Sequence, residues 1–412
     1  MDITLAIFLL VYVAMGFGHL PDSKVDRTGA AIIGAMLLIA AGKITPAAAW
    51  SAIDYSTVGL LFGLMVVSSA FVVSGFYAWA ARSVGALDVG PLTLLAIFVA
   101  VAGLLSAILT NDVVVVAMTP FLVSLTIARG LNPVPFLLGF CFAANVGSAA
   151  TIIGSPQNMI AAQALHVSFN GFMRAALVPA VLALPIVWLV IALLYRHRWK
   201  LPAPAASTTV APQAAIPFDR FETLKTALVT LGVVAAFVLT SWPHEVVAMA
   251  GASLLLLNRR FASADMLKHV DGNLLLLLIG LFVINAALAG TGLPQRLLGD
   301  LRGLGFDLHA PLALLAVVAV LSDAVGNNPA VMLLAPFLDG GQNSEALAAA
   351  LALGSGFASN IVIFGSLAGI IVVEQARAQG ITIGFAEFSR AGLPVTALCL
   401  ALAAGWIALY AG

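Results

Sequence analysis

Asn145-Val146-Gly147-Ser148-Ala149-Ala150-Thr151-Ile152-Ile153-Gly154-Ser155-Pro156-Gln157-Asn158 interrupts an otherwise apolar run over residues 134–165. Its small and polar residues stop a helix that the Phe-, Leu- and Ala-rich flanks would continue. What the interruption means depends on the solvent around it, and composition supplies that. Of 412 residues, 62% are hydrophobic and 9% are charged, against about 25% charged in a soluble domain. Such a chain cannot cover itself with polar surface in water. A soluble enzyme, a nucleic-acid binder and a disordered protein are excluded, and the lipid bilayer is the expected partner. Inside it, non-helical backbone cannot face lipid, because its N–H and C=O groups would go unpaired. The stretch is therefore expected to be buried in protein or to line a wet cavity.

Working outward, apolar runs at 3–19, 29–43, 56–77, 172–195, 222–241, 245–258, 272–291 and 390–410 read as membrane spans. Residues 134–165 and 346–378 read as spans broken in the middle. Runs 91–128 and 311–338 are interrupted at Thr110-Asn111-Asp112 and Gly326-Asn327-Asn328-Pro329, and read as re-entrant helical hairpins. The predicted fold is an all-α polytopic membrane protein of about ten transmembrane helices plus two hairpins. Threading these spans puts fourteen of the 18 Lys and Arg on one side, among them Lys24, Arg27, Arg82, Arg129 and Lys268. Only Lys43, Arg174, Arg296 and Arg302 fall on the other. The basic side is cytoplasmic by the positive-inside rule, which puts both termini in the periplasm of a bacterial inner membrane. Met1-Asp2-Ile3-Thr4 lacks the basic region of a cleavable signal, so the first run is expected to be retained. Residues 196–221, with Pro202, Pro204, Pro212 and Pro217, read as a flexible cytoplasmic linker. Cys141 and Cys399 lie in apolar runs and predict neither a metal site nor a disulfide.

The chain also repeats itself. At an offset of 217, Gly34 meets Gly251, Asp54 meets Asp271, Gly63 meets Gly280 and Gly75 meets Gly292. At 216, Ser106 meets Ser322, Asn111 meets Asn327, Pro120 meets Pro336 and Phe121 meets Phe337. At 211, Ser148 meets Ser359, Gly154 meets Gly365 and Ser155 meets Ser366. Residues 1–195 and 222–412 are thus two predicted repeats, joined by the linker. Each holds five crossings and one hairpin, and an odd count turns the second repeat upside down. Inverted repeats with broken helices at the midplane are the mark of a secondary transporter. A passive channel needs no such repeat. An intramembrane enzyme would need a nucleophile–base pair or a metal cluster at membrane depth, and the sequence offers neither.

The candidate site residues cluster at the interruptions. Thr110, Asn111, Gly147, Ser148, Thr151, Asn327, Asn328, Ser359 and Asn360 offer amide, hydroxyl and freed backbone groups to a substrate. Ser106, Asp112, Ser322 and Asp323 are the candidates for ion coupling, since an intramembrane acid is costly and functional by default. Scattered glycines such as Gly34 and Gly63 are expected to serve tight helix packing instead. No Lys, Arg or His lies at any interruption, and all six His sit at span ends or in loops. The core is therefore expected to hold acids without bases, which suits a neutral solute better than a dianion. No cofactor or metal is expected beyond a coupling H+ or Na+.

The run Leu109-Thr110-Asn111-Asp112-Val113 through Thr119-Pro120, followed by Asn145 through Asn158, resembles the ion transporter superfamily. That group joins arsenite permeases, sodium/proton antiporters and divalent-anion/sodium symporters. The resemblance spans nearly the whole chain and is nearest to the bacterial anion-permease and arsenite-permease branch. It implies a scaffold and a transport domain, substrate near the hairpin tips and a homodimer. The symporters carry Ser-Asn-Thr at both tips, where this chain has Thr110-Asn111-Asp112 and Gly326-Asn327-Asn328. The resemblance therefore implies efflux of arsenite or antimonite by proton antiport, with Asp112 carrying the proton. Sodium-coupled uptake of a dicarboxylate or sulfate, and sodium/proton antiport, are the alternatives.

Overall fold

The computed structural model describes residues 2–20, 23–201, 217–303, 307–338 and 341–411. The first half runs α1 (Ile3–Phe17), α2 (Arg27–Ala40), α3 (Pro46–Ser51), α4 (Tyr55–Val73), α5 (Phe76–Gly85), α6 (Pro91–Ile108), α7 (Asn111–Ala128), α8 (Pro133–Ser148), α9 (Pro156–Ala164) and α10 (Phe169–Leu194). The second runs α11 (Arg220–Leu239), α12 (His244–Leu256), α13 (Ser263–Leu267), α14 (Gly272–Ala289), α15 (Leu293–Gly303), α16 (Pro311–Val325), α17 (Asn327–Leu334), α18 (Ser344–Ala358), α19 (Leu367–Ala378) and α20 (Phe385–Ala411). No strand occurs among the described residues. Seven helices are long and apolar enough to cross a membrane: α4, α6, α7, α10, α11, α14 and α20.

The helix starts follow local chemistry. Asp26, Asp54, Asp219 and Asp271 each cap a first turn by accepting from backbone N–H groups two or three residues on. Prolines at the first position open α6, α8, α9 and α16, where a missing N–H costs nothing.

The starts of α1 to α5 and of α11 to α15 differ by 217 in every case. Two of these pairs, α3 with α13 and α5 with α15, lie outside the span map read from the sequence. The run 56–77 divides at Gly75, whose φ of 74° ends α4 and starts α5. Gly292, at φ 69°, does the same before α15. These four helices are too short or too polar to register as spans.

Packing is reciprocal between the halves. Helix α4 packs on α12 while α14 packs on α2, and α6 packs on α8 while α16 packs on α18. Contacts repeat at the residue level. A Cβ on Gly63 would lie 2.7 Å from the backbone carbon of Ala248, and one on Gly280 would lie 2.8 Å from that of Ala31. Ala31 and Ala248 are themselves 217 apart.

The broken helices form the centre: every residue of α8 is buried, as is Ala346–Ala358 of α18. Outer helices carry the apolar surface. On α11 Leu224, Leu228 and Leu231 are each more than half exposed along one face, as lipid contact requires. The linker is anchored at both described ends. Asn132 N–H donates to the Trp199 carbonyl and Leu201 N–H to that of Gly130, while Asp219 N–H donates to Ser74. Pro202, Pro204 and Pro212 lie outside the described residues.

Alanine at Gly63 or Gly280 must push two helices apart, and overpacking of this kind costs about 1–3 kcal/mol. Gly63→Ala and Gly280→Ala are each expected to lower the thermal unfolding temperature of the purified protein. Gly405→Ala, where a Cβ meets nothing within 4 Å, is expected to leave it unchanged.

Candidate functional site

Four helix breaks meet at the centre. Helix α6 gives way at Leu109 and Thr110 to α7, and α16 gives way at Gly326 to α17. Gly326 adopts φ 94°, which a side chain would oppose. Helices α8 and α9 are separated by 149–155, and α18 and α19 by 359–366. Because a broken helix frees polar backbone groups, each break needs partners.

The first break supplies many of them itself. Asn158 Nδ2 donates to the carbonyls of Ser148 and Thr151, both at 2.8 Å. Thr151 Oγ1 donates to the Ala107 carbonyl at 2.5 Å, and Asn111 N–H donates to that of Gly154 at 3.0 Å. These bonds tie the first hairpin tip to the first break. A Cβ on Gly154 would fall 2.1 Å from the Ser148 carbonyl oxygen, so only glycine lets the turn fold back this far. Gly147 brings α8 against α6, where a Cβ would sit 2.4 Å from Gly103. Asn145 Nδ2 crosses to the other half, donating to Asn360 Oδ1 at 2.9 Å and Ser366 Oγ at 3.0 Å. Ser148 and Ser359 hydroxyls turn back to carbonyls of their own helices.

The hairpins are held from outside by α4 and α14. Ser68 Oγ accepts from the N–H and hydroxyl of Thr110, both at 3.3 Å. Asn285 lies 217 residues on and donates to the Met332 carbonyl at 3.2 Å. Tyr12 hydroxyl is shared between Asn285 Oδ1 and the Pro329 carbonyl. The sequence reading missed both Ser68 and Asn285; an amide in the middle of the Leu-rich run 272–291 was the available signal.

A cavity of about 260 Å³ opens between the tips. It is lined by Asn111, Asp112, Asn327 and Asn328 from the predicted set, with Gln157, Gly365 and Ser366 from the breaks. Residues at the N-termini of six helices border it: Arg27 of α2, Asn111 of α7, Pro156 of α9, Asn273 of α14, Asn327 of α17 and Leu367 of α19. Partial positive charge at these ends favours an anion. A second, mostly apolar cavity of about 280 Å³ shares Asp112, Asp271 and Leu367 with the first.

The other predicted residues do not line either cavity. Ser106, Thr110, Gly147, Ser148, Thr151, Ser322, Ser359 and Asn360 are buried in the hairpins and breaks. Asp323 faces Gly365 from α16, with its Oδ1 3.0 Å from where a Cβ on that glycine would be.

The expectation of a core without bases is corrected by Arg27. It sits at the start of α2, far from any interruption in sequence, yet it lines the cavity with Asp271 of α14. The cavity is assembled by packing α2 on α14, and no local pattern announces that. Asp271 itself had one signal, its repeat match with Asp54.

Unpartnered polar atoms are frequent along the hairpins and breaks. Among the described residues, the buried atoms without a hydrogen-bond partner include Ser106 Oγ, Asn111 Oδ1, Asn145 Oδ1, Ser155 Oγ, Asn158 Oδ1, Asp323 Oδ1, Asn328 Oδ1 and Asn360 Nδ2. Such atoms are costly unless something binds them. No group of three or more His, Cys, Asp or Glu suited to a metal ion occurs among the described residues.

The sequence profile of the citrate transporter family matches residues 10–354. An uncharacterized transporter of Mycobacterium tuberculosis is 30% identical over 425 residues, covering 97% of each chain. Magnetosome protein MamN of Magnetospirillum gryphiswaldense is 28% identical, covering 100% of this chain and 99% of that protein. The crystal structure of the YdaH transporter of Alcanivorax borkumensis superposes with a TM-score of 0.63 at 16% identity, covering 99% of this chain and 97% of that one. At that identity the likeness speaks to the fold.

The lining predicts a contrast in accessibility. Asn328→Cys is expected to react with a water-soluble maleimide in the folded protein, and Ser359→Cys, fully buried, to stay unlabelled. Cys141 and Cys399 are buried and should leave the parent protein unlabelled too. Labelling read by mass shift decides it, and equal reactivity at both positions would refute the cavity assignment.

Proposed function

The chain belongs to the citrate transporter family, and on that footing we propose that it carries a small carboxylate anion across the bacterial inner membrane together with a coupling cation. It is a multi-pass secondary transporter. The observation that carries the substrate class is the convergence of six helix N-termini and Arg27 on one cavity. Its volume of about 260 Å³ is near the lower end of ligand pockets, roughly 300–1,000 Å³, and suits an organic acid of a few carbons. Efflux of arsenite or antimonite rested on the resemblance of the tip residues to arsenite permeases and on a core without bases; the family match gives the first no support, and Arg27 removes the second.

In this reading the chain has ten spans, with α6–α7 and α16–α17 as re-entrant hairpins. Residues 1–195 and 222–412 are inverted repeats joined by the linker 196–221. The reciprocal packing of α4 on α12 and α14 on α2 supports that arrangement. The positive-inside rule puts both termini in the periplasm and the loops bearing Lys24, Arg27 and Lys268 in the cytoplasm. The cavity then opens inward, and the substrate exchanges sides by alternating access. Two chains pair as a homodimer, as the superfamily resemblance implies.

Coupling falls to Asp112, which lines both cavities. A proton or sodium ion there offsets its charge while the anion is bound. Asn111, which lines the same cavity and keeps a buried, unpartnered Oδ1, is the neighbouring ligand for that cation.

Proteoliposomes holding the purified protein test the whole reading. Citrate and succinate are expected to accumulate under an imposed proton or sodium gradient and to equilibrate without one. Arsenite is expected not to move. Asp112→Asn should abolish gradient-driven accumulation while leaving the protein folded. Arsenite movement without carboxylate movement would overturn the proposal.

A further inference from the structure

We infer that Arg27 is the residue that recognises substrate charge, receiving one carboxylate of the transported anion at the cavity wall. The inference rests on the carboxylate reading above and names the group that enforces it. Asp26 caps α2 by accepting from Gly29 N–H at 2.7 Å, which fixes Arg27 as the first helical residue. Helix α2 packs on α14, so Arg27 and Thr28 come to the cavity beside Asp271 and Asn273. Arg27 is the one basic residue in that lining.

Its guanidinium is not committed elsewhere among the described residues. Nε is buried without a hydrogen-bond partner. None of the ion pairs among those residues involves it. The nearest carboxylate in sequence, Asp26, is engaged as the cap, and Asp271 accepts from Leu274 N–H. A half-buried cation without an acidic partner is costly, and a carboxylate in the cavity relieves that cost.

Geometry then divides the work of recognition. Guanidinium presents a planar pair of donors that matches a carboxylate in bidentate fashion. Elsewhere in the same lining, the starts of α7 and α17 and the Asn327 and Asn328 amides offer neutral donors to a second anionic group. An acid with two or three carboxylates uses both Arg27 and these neutral donors, and a monocarboxylate uses one of the two. Arg27 thereby sets preference as well as affinity.

The test uses the full-length protein with citrate, succinate and acetate as probes. Arg27→Gln is expected to raise the citrate Kd and KM on the order of tenfold to a hundredfold, with maximal rate little changed. Arg27→Lys, which keeps charge but loses the bidentate fork, should fall between. The preference of citrate over acetate should shrink in both. A drop in maximal rate with unchanged KM and Kd would overturn the inference, leaving Arg27 as part of the moving machinery. A second readout does not depend on transport. Modification of Arg27 by phenylglyoxal, followed by mass spectrometry, is expected to slow when citrate is present. Absence of protection would overturn the inference. Protection in a protein that moves no carboxylate would sustain the anion site while the transport reading falls.

Discussion

The structure depends on one constraint: backbone released from helical hydrogen bonding must find partners away from lipid. Four breaks place such backbone at the centre of an apolar chain. The chain surrounds them with α8, buried throughout, and with the buried stretch Ala346–Ala358 of α18. Side-chain amides then take up the freed carbonyls, as Asn158 does for Ser148 and Thr151. What remains unsatisfied is as informative as what is paired. Eight buried polar atoms without partners lie at the tips and breaks. Apolar residues could have filled these places at lower cost, so the tips and breaks are the most polar part of the buried interior.

The two halves solve the same problem in different ways. In the second hairpin, Ser322 Oγ donates to Asn327 Oδ1 at 2.5 Å. Their repeat counterparts, Ser106 and Asn111, both keep unpartnered oxygens. The outer helices differ likewise. Ser68 meets the first hairpin at its tip residue Thr110, whereas Asn285 meets the second at Met332, six positions past its tip residue Gly326. In the proposed alternating-access reading, unequal contacts at equivalent positions would give each half a second arrangement already built by its twin.

Much of this was legible in the sequence, and the rest fails to show for definite reasons. The breaks at Asn111, Asn145–Asn158, Gly326 and Ser359 announce themselves because Gly, Asn, Ser and Pro stand out in an apolar run. The offset of 217 was readable from a few glycines and one aspartate pair. Helices α3, α5, α13 and α15 were not, since a search for long apolar windows passes over short or amphipathic turns. Arg27 is the instructive miss. Positive-inside counting assigns it to a loop and stops there, yet a residue at a helix start can face inward once that helix packs on its neighbour. Sidedness read from charge treats basic residues as markers of topology and leaves unseen the one that belongs to the site.

Arg27 also changes what coupling means here. The cavity holds three charged side chains, Asp112, Asp271 and Arg27. With both acids ionised its formal charge is minus one, so a carboxylate entering alone would meet net repulsion in a medium that screens poorly. Helix N-termini offset part of that, each worth a fraction of a charge. In the proposed reading, a proton or sodium ion at Asp112 would remove the remainder and leave Arg27 free to hold the anion. Cation and anion then stabilise each other's binding, and reciprocity between two sites is the thermodynamic content of coupled transport. On this argument coupling needs no separate device. It would follow from placing one guanidinium and two carboxylates around the cavity proposed to take up an anion.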